Sequence, residues 1–201
     1  MKVRELSVPG AWELTPQQHS DSRGMFFEWF TDRAFTEFAG HRFDLQQANC
    51  SVSAAGVLRG LHFAEVPPSQ AKYVTCVSGA VFDVVVDIRV GSPTFGRWDA
   101  VLLDDRDRRS VYLSEGLAHG FLALQDNSTV MYLCSTGYDP QREHTIRADD
   151  PALGIEWPLP TGERLLAERD AAAPTLAEVR EAGLLPSWDA TRAFIDGLRA
   201  E

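Results

Sequence analysis

Between residues 47 and 135 the chain alternates short apolar, β-branched runs with turn-forming residues, which is the rhythm of strands rather than helices. The first run, Gln47 to Ser53, breaks at Ala54-Ala55-Gly56 as at a hairpin. Lys72 to Val77 leads through Ser78-Gly79-Ala80 into Val81 to Arg89, predicting two antiparallel strands joined by a glycine turn, and Gly91-Ser92-Pro93 stops the second. Trp98 to Leu103, Arg109 to Leu113, Gly120 to Leu124 and Thr129 to Ser135 predict further strands, separated by Asp-rich or Gly-containing turns. Helical patterning is confined to the flanks. Asp32 is expected to cap a short helix that carries Phe35 and Phe38 and ends at Gly40. Thr175 and Glu178 form a capping-box pair ahead of Val179, with Gly183 as the stop, and Trp188 to Leu198 has a second, weaker helical period. Many short strands without βα alternation predict an all-β fold, a closed barrel or jelly roll with short flanking helices, because such architectures dispose of exposed strand edges.

The 201 residues are enough for one domain with one sizeable core. Residues 1–44 are expected to form an N-terminal arm and short helix, 45–158 the barrel, and 159–201 a C-terminal helical segment. A net charge of -10 surrounds the molecule with a field that repels phosphate, which argues against nucleic-acid and acidic-membrane partners. A small anionic ligand is still admissible, since a few converging arginines reverse the sign locally. No apolar run has signal-peptide or membrane-span length, so a cytoplasmic location is expected. The three cysteines, Cys50, Cys76 and Cys134, show no paired spacing and read as small buried hydrophobes.

Of five histidines, His62 and His119 stand in glycine-flanked apolar segments, Gly60-Leu61-His62-Phe63 and Gly116-Leu117-Ala118-His119-Gly120-Phe121, while the other three read as solvated. Each of the two is open to a core or a catalytic reading, because neighbouring glycines admit either a second backbone or a ligand. A metal-holding jelly roll commonly shows His-x-His followed by Glu, but Ala64 breaks that pattern after His62 and leaves only His62, Glu65 and His119 as candidate ligands. No metal is therefore expected. Lys72 is either an edge-strand gatekeeper or a cation aimed into a cavity. Tyr132 reads as a core phenol when taken alone, and Asp170 as a helix cap.

Several segments taken together resemble the dTDP-4-dehydro-6-deoxysugar epimerases, the dTDP-4-dehydrorhamnose 3,5-epimerase family. They are Asp21-Ser-Arg-Gly24 with Phe26 and Glu28, Gln47 to Ser53, Val57 to Phe63, Pro67 to Lys72, Asp83 to Gly96, and Gly116 to Phe121, continued by Tyr132, Tyr138, Glu143 and Asp149 to Pro158. The resemblance implies a cupin-type jelly roll that inverts C3, C5 or both in a dTDP-4-keto-6-deoxyhexose, without a cofactor. Gly91 to Gly96 and Val111 to Gly116 look most like members that serve antibiotic-sugar pathways, some of which act at C3 alone. Position by position, the resemblance makes His62 the base, oriented by Asp170, with Tyr132 as the acid on the opposite face and Lys72 beside the C4 carbonyl. It makes Gln47, Asn49, Arg59, His119, Tyr138, Glu143 and Arg169 substrate contacts. Arg23, Phe26 and Glu28 would belong to an arm that reaches the nucleotide in the second subunit of a homodimer. Arg169 stands where a lysine is frequent in the family, and Ala48 where an aspartate is.

Overall fold

Thirteen strands and four α-helices lie within residues 1–200, which the computed structural model describes. The strands are β1 (Lys2–Glu5), β2 (Ala11–Thr15), β3 (Gln18–Asp21), β4 (Gly24–Phe27), β5 (Gln47–Ser53), β6 (Leu58–Ala64), β7 (Lys72–Ser78), β8 (Ala80–Asp87), β9 (Trp98–Asp104), β10 (Ser110–Leu113), β11 (Leu117–Ala123), β12 (Ser128–Cys134) and β13 (Glu143–Thr145). The helices are α1 (Asp32–Ala39), α2 (Glu168–Ala171), α3 (Leu176–Glu181) and α4 (Trp188–Ala200). A six-stranded sheet, ordered β1-β2-β10-β7-β12-β5, faces a five-stranded sheet, ordered β13-β6-β11-β8-β9, while β3 and β4 pair only with each other. This is the predicted jelly roll with short flanking helices.

The period-2 pattern explains how both sheets are buried on both faces. On β7, β8 and β10, the residues Val74, Cys76, Val81, Val85, Val111 and Leu113 point between the sheets into one core. Their alternates point outward. Val84 and Val86 meet Trp157, Leu176 and Val179 of the C-terminal segment, and Tyr73 and Tyr112 meet Phe35, Ala39 and Phe43 around α1. Phe35 sits at the centre of that last layer, 4.8 Å edge-on to Tyr112 and 5.3 Å from Phe43. Thr31, rather than Asp32, caps α1: its hydroxyl accepts from the Ala34 N–H, and Asp32 occupies the first helical position. A threonine just ahead of an aspartate offers two capping residues in a row, and the backbone chose the earlier one. Gly40 ends the helix at φ 78° as expected, and Thr175 and Glu178 form the capping box of α3.

The two predicted hairpins are not hairpins. β7 pairs with β10 and β12, and β8 with β9 and β11, so Ser78-Gly79-Ala80 carries the chain from one sheet to the other. Gly79, at φ 76°, packs so tightly that a Cβ there would lie 2.9 Å from Ser128 Cα. Ala54-Ala55-Gly56 likewise joins β5 of the larger sheet to β6 of the smaller. A tight glycine turn serves either connection; burial of both alternating faces decides which forms. β1 and β2 belong to the larger sheet, ahead of the protruding hairpin. Two side-chain expectations also fail: His41 is buried and His144 bonds Glu65 at 2.7 Å, so of the three histidines read as solvated only His19 is exposed, and Cys50 is exposed rather than buried. No helix among the described residues is long and apolar enough to cross a membrane.

Glu115, in the turn between β10 and β11, is 2% exposed, and its Oε2 has no hydrogen-bond partner among the described residues. Burial pushes its carboxyl up from 4.5 to about 7. The folded state therefore holds this proton more tightly than the unfolded chain, so stability is lost as pH rises from about 4.5 to about 7 and the loss then stays constant. Glu115→Gln is expected to stabilise the protein at pH 8 by up to about 3 kcal/mol, with the gain shrinking toward pH 5. Urea unfolding at the two pH values measures this, and an equal gain at both would exclude the linkage.

Candidate active site

β6 and β11 run antiparallel with His62 directly opposite His119. The two strands can lie this close because Gly60 and Gly120 face each other: a Cβ on Gly60 would stand 2.6 Å from Gly120 Cα. Each histidine has its own carboxylate. His62 Nε2 is 2.8 Å from Asp170 Oδ1, and His119 Nε2 is 2.8 Å from Asp83 Oδ2 on the neighbouring β8. Asp170 projects from the single turn of α2, and its Oδ2 accepts the Gly60 N–H at 3.2 Å, so one carboxylate holds both the imidazole and the backbone two residues before it. Burial raises the Asp170 carboxyl, but the bonds from His62 and Gly60 and the nearby Arg169 charge outweigh it and hold it below the ordinary carboxylate range. An ionised Asp170 accepts from Nε2–H, which leaves Nδ1 of a neutral His62 with a free lone pair.

The opposite wall comes from the larger sheet. Tyr132 on β12 stands across from Asn49 on β5 and Val74 on β7, and Lys72 stands across from Cys134. The Lys72 ammonium makes no hydrogen bond or ion pair among the described residues, and its strand lies between β10 and β12 rather than at a sheet edge, so it is not an edge gatekeeper. Burial lowers its pKa, and nearby Cys134, Glu143 and Asp83 restore part of it. Burial likewise raises the Tyr132 phenol, helped by Cys134 and Glu143 and opposed by Arg59, so Tyr132 holds a neutral, transferable proton.

These groups meet in a cavity of about 320 Å³. Its lining includes His62, Asp170, Lys72, Tyr132, Arg59, His119 and Arg169. Gln47, Asn49, Glu143 and Tyr138 are linked to this wall without lining the cavity. Gln47 Nε2 donates to Asn49 Oδ1 at 2.9 Å, the Tyr138 N–H donates to Gln47 Oε1 at 2.9 Å, and Arg169 Nη2 donates to the Glu143 carbonyl at 3.0 Å. Arg23, Phe26 and Glu28 are not part of it: they lie exposed on and beside the β3–β4 hairpin, where Arg23 is hooked onto Asp21 at 2.6 Å. Asp83, within one of the segments that carry the resemblance, has no site role in the sequence reading, because an acid in Val81-Phe-Asp-Val-Val reads as an ordinary polar interruption; its register beside His119 gives it one. The candidate metal set does not assemble, since Glu65 bonds His144, and no group of three or more ligating side chains converges among the described residues.

Residues 5–178 match the family model described as dTDP-4-dehydrorhamnose 3,5-epimerase. The chain belongs to this family. A dTDP-4-dehydrorhamnose 3,5-epimerase of Mycobacterium tuberculosis is 71% identical over 99% of each chain. The solved structure of a Mycobacterium tuberculosis rmlC epimerase superposes with a TM-score of 0.97 at 71% identity, over 98% of this chain and 100% of the other. ChmJ, a 3'-monoepimerase from Streptomyces bikiniensis solved with dTDP-quinovose, superposes with a TM-score of 0.94 at 50% identity, over 98% of both chains. Membership makes this chain a carbohydrate epimerase, and its relatives span both regiochemistries that the resemblance implied.

Proposed function

We propose that the chain inverts both C3 and C5 of a dTDP-4-keto-6-deoxyhexose, with His62 as the base and Tyr132 as the opposing acid. The observation that carries this reading is the His62–Asp170 pair facing Tyr132 and an unpaired Lys72 across one cavity. His62 Nδ1 takes the proton from the carbon next to the C4 ketone, and the C–H electron pair moves onto the C4 oxygen. Lys72 offsets the charge forming on that oxygen, which alone makes such a carbon acidic enough to ionise near neutrality. Asp170 keeps Nε2 protonated and stabilises the imidazolium. Tyr132 then delivers its proton to the opposite face, the carbonyl re-forms, and exchange with solvent takes the abstracted proton from His62 and restores the phenol of Tyr132. Electrons are conserved within the sugar, so the reaction requires no redox cofactor. Arg59 and Arg169 offer guanidinium forks to the diphosphate, with Gln47, Asn49, His119, Tyr138 and Glu143 completing the sugar and nucleotide contacts. Inversion at C5 as well as C3 is favoured by 71% identity to a 3,5-epimerase against 55% to a 3-epimerase of Streptomyces niveus.

Incubation with dTDP-4-keto-6-deoxyglucose in deuterated water is expected to place deuterium at C3 and C5. Label at C3 alone would reduce the activity to mono-epimerisation, and no label at either carbon would sink the proposal. In Tyr132→Phe, wash-in should persist while inverted product falls by about 10²-fold or more, the signature of a lost acid rather than a lost base.

We further propose that the chain works as a homodimer in the cytoplasm, with the β3–β4 hairpin reaching the nucleotide in the second subunit. Phe26 is 67% exposed on that hairpin, a large apolar surface to leave in water, and all three cysteines are free thiols. Phe26→Ala should raise KM with kcat and the sedimenting mass of a dimer unchanged. A monomer in sedimentation of the unaltered protein would refute the arrangement.

A further inference from the structure

The β3–β4 hairpin pairs with no other strand, so no sheet ladder fixes the direction in which it points. It is held at its root instead. Gln18 and Phe27 stand opposite each other there, and residues directly opposite in a ladder turn to the same face. Both meet the loop between β9 and β10: Gln18 Nε2 donates to the Arg106 carbonyl at 2.8 Å, and the Arg108 guanidinium lies 5.6 Å from the centre of the Phe27 ring. Phe27 is partly buried, whereas every other residue of the two strands is exposed. The loop is itself stiff. The Asp104 carboxylate accepts the Arg106 and Asp107 N–H groups at 3.0 and 2.7 Å, Asp105 is bonded to Gly79 through both its backbone N–H and its carboxylate, and Arg108 Nη1 donates to the Val77 carbonyl of β7 at 2.9 Å. Arg108 holds φ 57°, which a residue with a side chain keeps only where its surroundings over-determine it.

A hairpin tethered only by its two ends sweeps through many directions and gives up that freedom when it closes on a ligand; holding it beforehand removes the cost. We propose that the β9–β10 loop is a brace for this hairpin, and that Arg108 and Gln18 are positioning residues for the nucleotide bound in the second subunit. The inference rests on the reach of the hairpin into that subunit. Strand alternation does the aiming. With Gln18 and Phe27 set against the loop, the next pair, His19 and Phe26, takes the opposite face, so the 67% exposed Phe26 ring is turned away from its own brace. Arg108 thus acts through Phe27 and touches no part of the sugar.

Arg108→Ala and Gln18→Ala test the brace, read in the full chain by amide hydrogen exchange across the hairpin and by steady-state kinetics with dTDP-4-keto-6-deoxyglucose. Each is expected to speed exchange between Gln18 and Phe27 and to raise KM about fivefold, the value of one contact of about 1 kcal/mol, with kcat unchanged. A merely structural role would lower the folded fraction, and with it the apparent kcat, while leaving KM alone. Gln18 is exposed, so its variant keeps the fold even where loss of the Val77 bond costs Arg108→Ala its own. Unchanged exchange in the folded variants would overturn the brace, and so would an unchanged KM where Phe26→Ala raises it. If Phe26→Ala also leaves KM unaltered, the reach into the second subunit fails, and faster exchange still upholds the brace.

Discussion

With His62 replaced by alanine, solvent deuterium is expected to enter neither C3 nor C5, and turnover is expected to fall by about 10²–10⁴-fold, the contribution of one well-placed general base. The comparison that gives the experiment its force is His119→Ala. Both histidines face one cavity and both have an aspartate on Nε2, so pairing alone does not distinguish them. Access does: the His62 side chain is 33% exposed and that of His119 only 9%. His119→Ala should therefore retain wash-in at a reduced rate, as expected for a group that binds substrate. Deuterium entering at an undiminished rate in His62→Ala would transfer the base to another residue. Asp170→Asn should lose about 10²-fold or more, because an amide neither fixes the Nε2–H tautomer nor stabilises the imidazolium.

The largest expected effect on folding is at Gly60. A Cβ there would meet Gly120 Cα at 2.6 Å and the His119 carbonyl at 2.7 Å, both backbone, and φ is 121°. No side chain can swing aside, so Gly60→Ala must push β6 and β11 apart. Strain of about 1–3 kcal/mol from the dihedral adds to a similar overpacking cost, about 2–6 kcal/mol together. Gly24, at φ 134° with nothing within 4 Å of its Cβ position, isolates the dihedral part. In thermal melts Gly60→Ala should lose clearly more than Gly24→Ala. Equal losses would mean that the close strand contact carries no weight.

Strands were legible because burial on both faces of a sheet demands runs such as Val81 to Asp87, and helix ends because Thr175, Glu178 and Gly40 act locally. Pairing was not. Gly79 meets the same local requirement in a hairpin and in a passage between sheets, so only the position of β10 and β12 beside β7 decides the outcome. The site divides in the same way. His62 and Asp170 are 108 positions apart, and no spacing rule joins them; resemblance did so, and the 2.8 Å contact gives that pairing a geometry. Asp83 and the buried state of His41 depend on register and on the packing of α1, which local pattern does not encode.

Proton acceptor and proton donor stand on different sheets, His62 on the smaller and Tyr132 on the larger. Neither residue sets the gap between them. That gap is the thickness of the layer formed by Val74, Val85, Phe121 and Val130, all buried and none of them a proton carrier. These side chains act as shims in a jaw. A methylene added or removed among them re-spaces the two ends of the proton path, so selection on this reaction reaches residues whose only property is their width.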